Sequence, residues 1–110
     1  MKDAQTQFIQ GTLELLILRT LIYGPAHGHA IAKHIQSSSE TLRIETGSLY
    51  PALQRLEAQG LVLPEWRLSD KGKRAKYYKL TPAGKRHLTA EQSRWESFVL
   101  AMRRVLQPSE

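Results

Sequence analysis

The run from Leu13 to Tyr23 limits most sharply how this chain can fold. Leu13, Leu16, Ile17 and Leu21 recur at spacings of three and four, the mark of one helix face. Leu15, Leu18 and Ile22 make a second apolar face on the same helix. A helix that is apolar on two sides has to be covered on two sides. One cover is the core of its own domain. The other is a further helix or a second chain. Gly24-Pro25 ends this helix, because proline lacks the amide hydrogen and its ring clashes with the preceding turn.

The same reading places the other elements. A second helix is predicted from about Gly28 to Ser38, with Ile31 and Ile35 inward and Ala32 beside them. It runs out in Ser37-Ser38-Ser39, and Leu42 and Ile44 pin the following turn. A third helix spans about Gly47 to Gln59 on the stripe Leu49, Ala52, Leu53 and Leu56. Thr46 or Ser48 is expected to cap it, and Gly60 to follow its end. Pro51 fits a helix only in its first turn, which favours a cap at Ser48. Ser48, Tyr50, Gln54 and Arg55 then fall opposite the leucines.

Leu61 to Leu68 and Lys73 to Leu80 read as two strands about the turn Ser69-Asp70-Lys71-Gly72. Pro64 restricts the first strand to an edge or a bulge. Tyr78 and Leu80 share the inward face, Tyr77 and Lys79 the outward one, and Trp66 packs the hairpin. Thr81-Pro82 is an N-cap followed by proline at the first helical position, so a last helix starts there and runs to about Leu106. Leu88, Trp95 and Met102 repeat every seven residues, with Phe98, Val99, Val105 and Leu106 in the alternate positions, as in a coiled-coil seam.

The order is three helices, a hairpin and a long helix. That is a mostly α fold with a small β-hairpin: a winged helix-turn-helix plus a long C-terminal dimerisation helix. The division expected is a flexible N-terminus at 1–9, a DNA-binding domain at 10–81 and a dimerisation helix at 82–107. Leu15, Leu18, Ile22, Leu88, Trp95, Phe98, Val99 and Met102 are the candidate dimer contacts.

Charge then narrows the function. The net charge is +6, yet Arg67 to Arg86 alone holds eight cations against Asp70, a local +7. All the excess positive charge therefore lies on the hairpin and the start of the last helix. A basic hairpin carrying Tyr77 and Tyr78 is a nucleic-acid contact element. There is no cysteine, which removes disulfides, thiolate metal sites and cysteine nucleophiles. No apolar run reaches the length of a membrane span, and the N-terminus lacks a signal-peptide layout, so a cytoplasmic location is expected. His27, His29 and His34 do not share the spacing that brings ligands together on a helix, so neither a metal nor a cofactor is expected. His27 is read as a turn residue and His34 as a solvated one. Ser48 has no adjacent base, no paired carboxylates share a helix face, and no phosphate loop follows a strand, so no enzyme is indicated.

Several segments are familiar. Gly11-Thr12-Leu13-Glu14-Leu15-Leu16-Ile17-Leu18, His27-Gly28, Gly47-Ser48-Leu49-Tyr50-Pro51-Ala52-Leu53, Arg55-Leu56-Glu57 and Arg74-Ala75-Lys76-Tyr77-Tyr78 resemble the PadR family of bacterial transcriptional regulators. The chain is similar to the compact branch with a single C-terminal helix. The resemblance implies a dimer that represses nearby promoters, with the last helix of each chain packed on the first helix of its partner. It implies that Ser48, Tyr50, Pro51 and Arg55 approach the major groove of double-stranded DNA. It also implies that Lys73, Arg74, Lys76 and Tyr77 touch phosphates or the minor groove. Gln54 joins this set from its place on the same helix face. His29 stands where the family often has an aromatic residue near the DNA backbone. Arg55 cannot pair with Glu57 two positions away, so its guanidinium is expected to be free for phosphate or guanine. Trp95 is expected to pack the dimer interface, and a small-molecule effector that stacks on it is the sharper alternative. The rival functions are a basic winged helix that binds RNA or DNA without sequence preference, and a ligand-sensing or protein-interaction module.

Overall fold

The computed structural model describes residues 12–38 and 43–108. The expected flexible segment at 1–9, and Gly11, Ser39 and Leu42, lie outside the described residues. Residues 12–20 form α1, which tightens into a 3-10 turn at Leu21–Tyr23. There follow β1 (Ala26–His27), α2 (Gly28–Ser38), α3 (Thr46–Ala58), β2 (Val62–Leu68), β3 (Arg74–Leu80) and α4 (Pro82–Leu106). The three strands form one antiparallel sheet in the order β1-β3-β2, so Pro64 sits on an edge strand, where its missing amide costs least.

One apolar cluster holds these elements together. Leu13, Ile17, Leu18 and Leu21 of α1 meet Ile31 and Ile35 of α2, the Leu49–Ala52–Leu53–Leu56 stripe of α3, Val62 and Tyr78 of the sheet, and Leu88 of α4. The periodicity of α1 misplaced one residue. Leu18, assigned to the outer face, is 1% exposed, whereas Leu16 is only half-buried. Leu18 belongs to the core cluster and shares a crevice with Leu56 of α3 and His87 of α4, so the first turns of α4 lie near this side of α1.

The start of α3 also departs from expectation. The helix begins at Thr46, and neither Thr46 nor Ser48 caps it. The Glu45 carbonyl accepts the Ser48 and Leu49 amides, both at 3.0 Å, without any side-chain cap. Pro51 therefore lies past the first turn and removes one helical bond, to the carbonyl of the exposed Gly47. The other end is as read. Gly60 takes φ 74°, its amide donates to Glu57 and the Leu61 amide donates to Leu56, which closes the helix in a Schellman motif.

Thr81 joins the sheet to α4. Its hydroxyl accepts the Gly84 amide at 2.9 Å and lies 2.8 and 3.0 Å from the Gly60 and Leu61 carbonyls. Gly84 is buried against Leu61, where a side chain would overlap the Leu61 carbonyl oxygen. These contacts tie the hairpin base, the end of α3 and the start of α4 into one joint.

Candidate nucleic-acid interface

The hairpin register decides what each face of the wing presents. Trp66 pairs with Lys76, Leu68 with Arg74 and Pro64 with Tyr78, so these side chains share the face that begins at the core. On that face the Arg74 guanidinium stacks over Trp66 at 4.9 Å. Lys76 lies over Tyr78 at 5.5 Å, and its Nζ reaches Glu57 of α3 at 3.2 Å. The hydrogen bond to Glu57 holds the Lys76 ammonium above its ordinary pKa of 10.5. Burial pushes the Tyr78 phenol above its ordinary 10.0. Tyr77 is on the opposite face, edge-on to His27 at 5.3 Å and beneath Arg67, which itself bonds Glu65.

The strand β1 was not legible in the sequence. His27, read as a turn residue, pairs with Tyr77, and its Nδ1 accepts the Ala30 amide at 3.1 Å, so it caps α2. Gly28 follows directly. A Cβ there would lie 2.7–2.9 Å from the Tyr50 ring and hydroxyl, so the bare glycine is what lets Tyr50 lie against the start of α2.

The polar positions of α3 divide into three rows. Tyr50 turns toward the wing, Pro51 and Gln54 are exposed on the far side, and Arg55 turns toward α1. Arg55 is not free. Its Nε and Nη2 donate to the two carboxylate oxygens of Glu14 at 3.2 and 3.3 Å. Ser48 is half-buried, and its amide is already bonded to Glu45, so it does not offer the free N–H expected of a helix start.

Between the start of α2, Tyr50 and the wing lies an open groove of about 500 Å³. Lys73, Arg74, Lys76 and Tyr50 converge on it, and Tyr77, Gln54 and Arg55 do not. His29, which stands where the family often has an aromatic residue, lines it as well, and sequence reasoning missed His27, Trp66 and Ser69, which do so too. Trp66 was read as a packing residue, yet it is 58% exposed. The expected turn at 69–72 would have set Trp66 opposite Ala75; the Ser69 amide instead bonds the Lys73 carbonyl, and counting back from that pair sets Trp66 opposite Lys76. A cationic groove with aromatic walls beside an exposed helix can take a phosphate backbone along the groove while the helix enters a DNA groove.

The sequence profile described as the transcriptional regulator PadR-like family matches residues 17–90. This chain belongs to the PadR family. It is 35% identical over 86 residues to the transcriptional regulator Rv3488 of Mycobacterium tuberculosis, with 78% of each chain covered. A PadR family regulator from Eggerthella lenta superposes with a TM-score of 0.80 at 31% identity, covering 98% of this chain and 93% of that one. A transcriptional regulator from Clostridium thermocellum superposes at 0.82 and 27% identity, covering 92% and 96%. The chain is thus a DNA-binding transcriptional regulator of the PadR family rather than an enzyme, built on a winged helix with a long C-terminal helix. No helix among the described residues is long and apolar enough to cross a membrane.

The contacts assigned to a PadR-type dimer divide in two. Leu18 and Leu88 belong to the chain's own core and leave that set, because each is already buried within one chain at 1% and 3% exposure. Leu15, Trp95 and Val99 are half-buried, while Ile22, Phe98 and Met102 are exposed. Trp95 lies against Phe98 at 5.9 Å and lines a crevice of about 290 Å³ with Leu15, Leu16 and Arg19.

Proposed function

We propose that this regulator acts in the cytoplasm as a homodimer that binds a palindromic operator and represses the adjacent promoter. One observation carries the DNA geometry: Tyr50 of α3 and Lys73, Arg74 and Lys76 of the wing meet around a single open groove. In this reading the wing draws the duplex in by displacing counterions, which is independent of sequence. The exposed side chains of α3, Tyr50, Pro51, Gln54 and Arg55, meet base edges from their three rows, and Ser48 stands at the phosphate beside its first turn. Tyr77 reaches the backbone from the other face of the wing. The groove lining adds Trp66 to the candidate contacts and supports His29 as one.

The dimer reading rests on α4. At 1.5 Å per residue this helix is about 37 Å long. Its Trp95, Phe98, Val99, Met102 and Leu106 follow one apolar row, and Leu106 is 71% exposed. A second copy related by a twofold axis would cover that row and the exposed Ile22 of α1 together. The crevice at Trp95 is the place where a flat small-molecule effector would lodge.

The test is selection of duplexes from a random pool, followed by footprinting and binding to a scrambled duplex. A two-fold-symmetric site bound far more tightly than the scramble is the expected result. Equal affinity for all duplexes would establish the non-specific reading instead. Loss of a reporter's expression when the selected site overlaps its promoter is the outcome expected of a repressor.

A further inference from the structure

We propose that Glu14, on α1, is a positioning residue for base recognition: it grips the Arg55 guanidinium side-on and leaves the end-on pair of N–H groups to bond a guanine. This rests on the reading of α3 as the recognition helix. Arginine offers five N–H donors in a rigid fork. Here the Nε–H and one Nη2–H are taken by Glu14 Oε2 and Oε1, at 3.2 and 3.3 Å. The remaining Nη2–H and the Nη1 hydrogens lie on the outer edges of the fork. The outer edge formed by Nη1 and Nη2 presents two parallel hydrogens, which match O6 and N7 of guanine.

The pair does not serve stability in any large degree. The Arg55 and Glu14 side chains are 44% and 31% exposed, and ion pairs so placed contribute little. Their consequence is orientation. An unheld arginine loses rotamer freedom when it binds, and a side chain ordered beforehand does not lose it again. The grip also comes from a different helix, 41 residues away, so it fixes the guanidinium against the body of the domain rather than against α3 alone.

The opposite role would follow if Glu14 merely competed with DNA. Its negative charge would then repel phosphates and occupy Arg55, and removing it would tighten binding everywhere. The two roles predict opposite signs, so one experiment separates them.

Binding is measured by fluorescence anisotropy at fixed salt, on a duplex enriched from a random pool by the wild-type protein and on a scramble of equal length. Glu14→Gln is expected to weaken the enriched duplex about five-fold and to change the scramble less than two-fold. With Arg55→Ala as background, Glu14→Gln should have no further effect. Arg55→Lys keeps the charge but cannot be gripped and forked at once, so it should lose the preference and keep the scramble affinity. Tighter binding to both duplexes by Glu14→Gln would overturn the proposal in favour of competition. An unchanged preference with a lowered melting temperature would reduce Glu14 to a structural clamp and overturn it as well. A wild-type protein with no preference for its enriched duplex would overturn the recognition-helix reading and this proposal together. A preference that survives Glu14→Gln intact overturns this proposal alone.

Discussion

Gly28→Ala is expected to separate the placement of Tyr50 from the stability of the fold. The added methyl would lie 2.7 Å from the Tyr50 ring, roughly 0.7 Å inside ordinary carbon contact. The atoms it meets are the far end of an exposed side chain rather than backbone, so the ring can swing away. Gly28 is the first residue of α2, where alanine is favoured over glycine by up to about 1 kcal/mol. That gain offsets the lost ring contact. The net change in stability should stay within about 1 kcal/mol, or about 5 °C in melting temperature. DNA binding should respond differently, because the displaced ring no longer faces the groove. A good base or backbone contact is worth about 1–3 kcal/mol, which is roughly a 5- to 150-fold loss on the selected duplex. The assay is thermal unfolding by circular dichroism beside anisotropy titration. A control sharpens it: in a Tyr50→Ala background the ring that the methyl would displace is gone, so Gly28→Ala should add no further loss. Undiminished DNA affinity in the single variant would refute the role given to Tyr50. A fall of more than about 10 °C would show that the glycine is required by backbone packing, and the argument from ring displacement would fail.

Gly84→Ala should behave in the opposite way, because its methyl would overlap the Leu61 carbonyl oxygen and crowd Leu80 at the joint held by Thr81. A loss of about 3 kcal/mol, seen as a drop on the order of 15 °C in a melting curve, is expected. On the wing, Lys73→Ala should lower the slope of log affinity against log salt by about one per contact, whereas Lys76→Ala should lower it less, since Glu57 already neutralises Lys76. Light scattering of the wild type should give twice the 12.5 kDa chain mass, and Phe98→Glu with Met102→Glu should return the monomer while leaving the winged domain folded. Stability should decline above about pH 10. The fold favours charged Lys76, whose contribution is complete below 10.5 and lost as pH rises through its raised pKa. It also favours neutral Tyr78, which the unfolded chain ionises first, so a melting temperature that held level to pH 11 would contradict both assignments.

Features whose cause is local were legible in the residues alone. The apolar stripes of α2 and α3, the Gly60 stop, the Thr81-Pro82 start and the alternation of Tyr78 and Leu80 along β3 each depend on neighbours a few positions apart. Period and turn chemistry report such neighbours directly. The clustering of charge on the wing was equally plain, since a hairpin keeps its own sequence together. What only the tertiary structure decided is which element covers which face. Ala26 and His27 carry no strand signal, and they form β1 because the Gly24-Pro25 turn lays them beside Tyr77 and Tyr78. Leu18 has the spacing of an outer residue, and it is buried in the core cluster beside a crevice that residues of α1, α3 and α4 line together. Nothing near Arg55 in sequence accepts its guanidinium, and its partner Glu14 lies on another helix. Periodicity states that a face is apolar or that a side chain is charged. It does not state what will be brought against it, because that is settled by the packing of elements far apart in the chain.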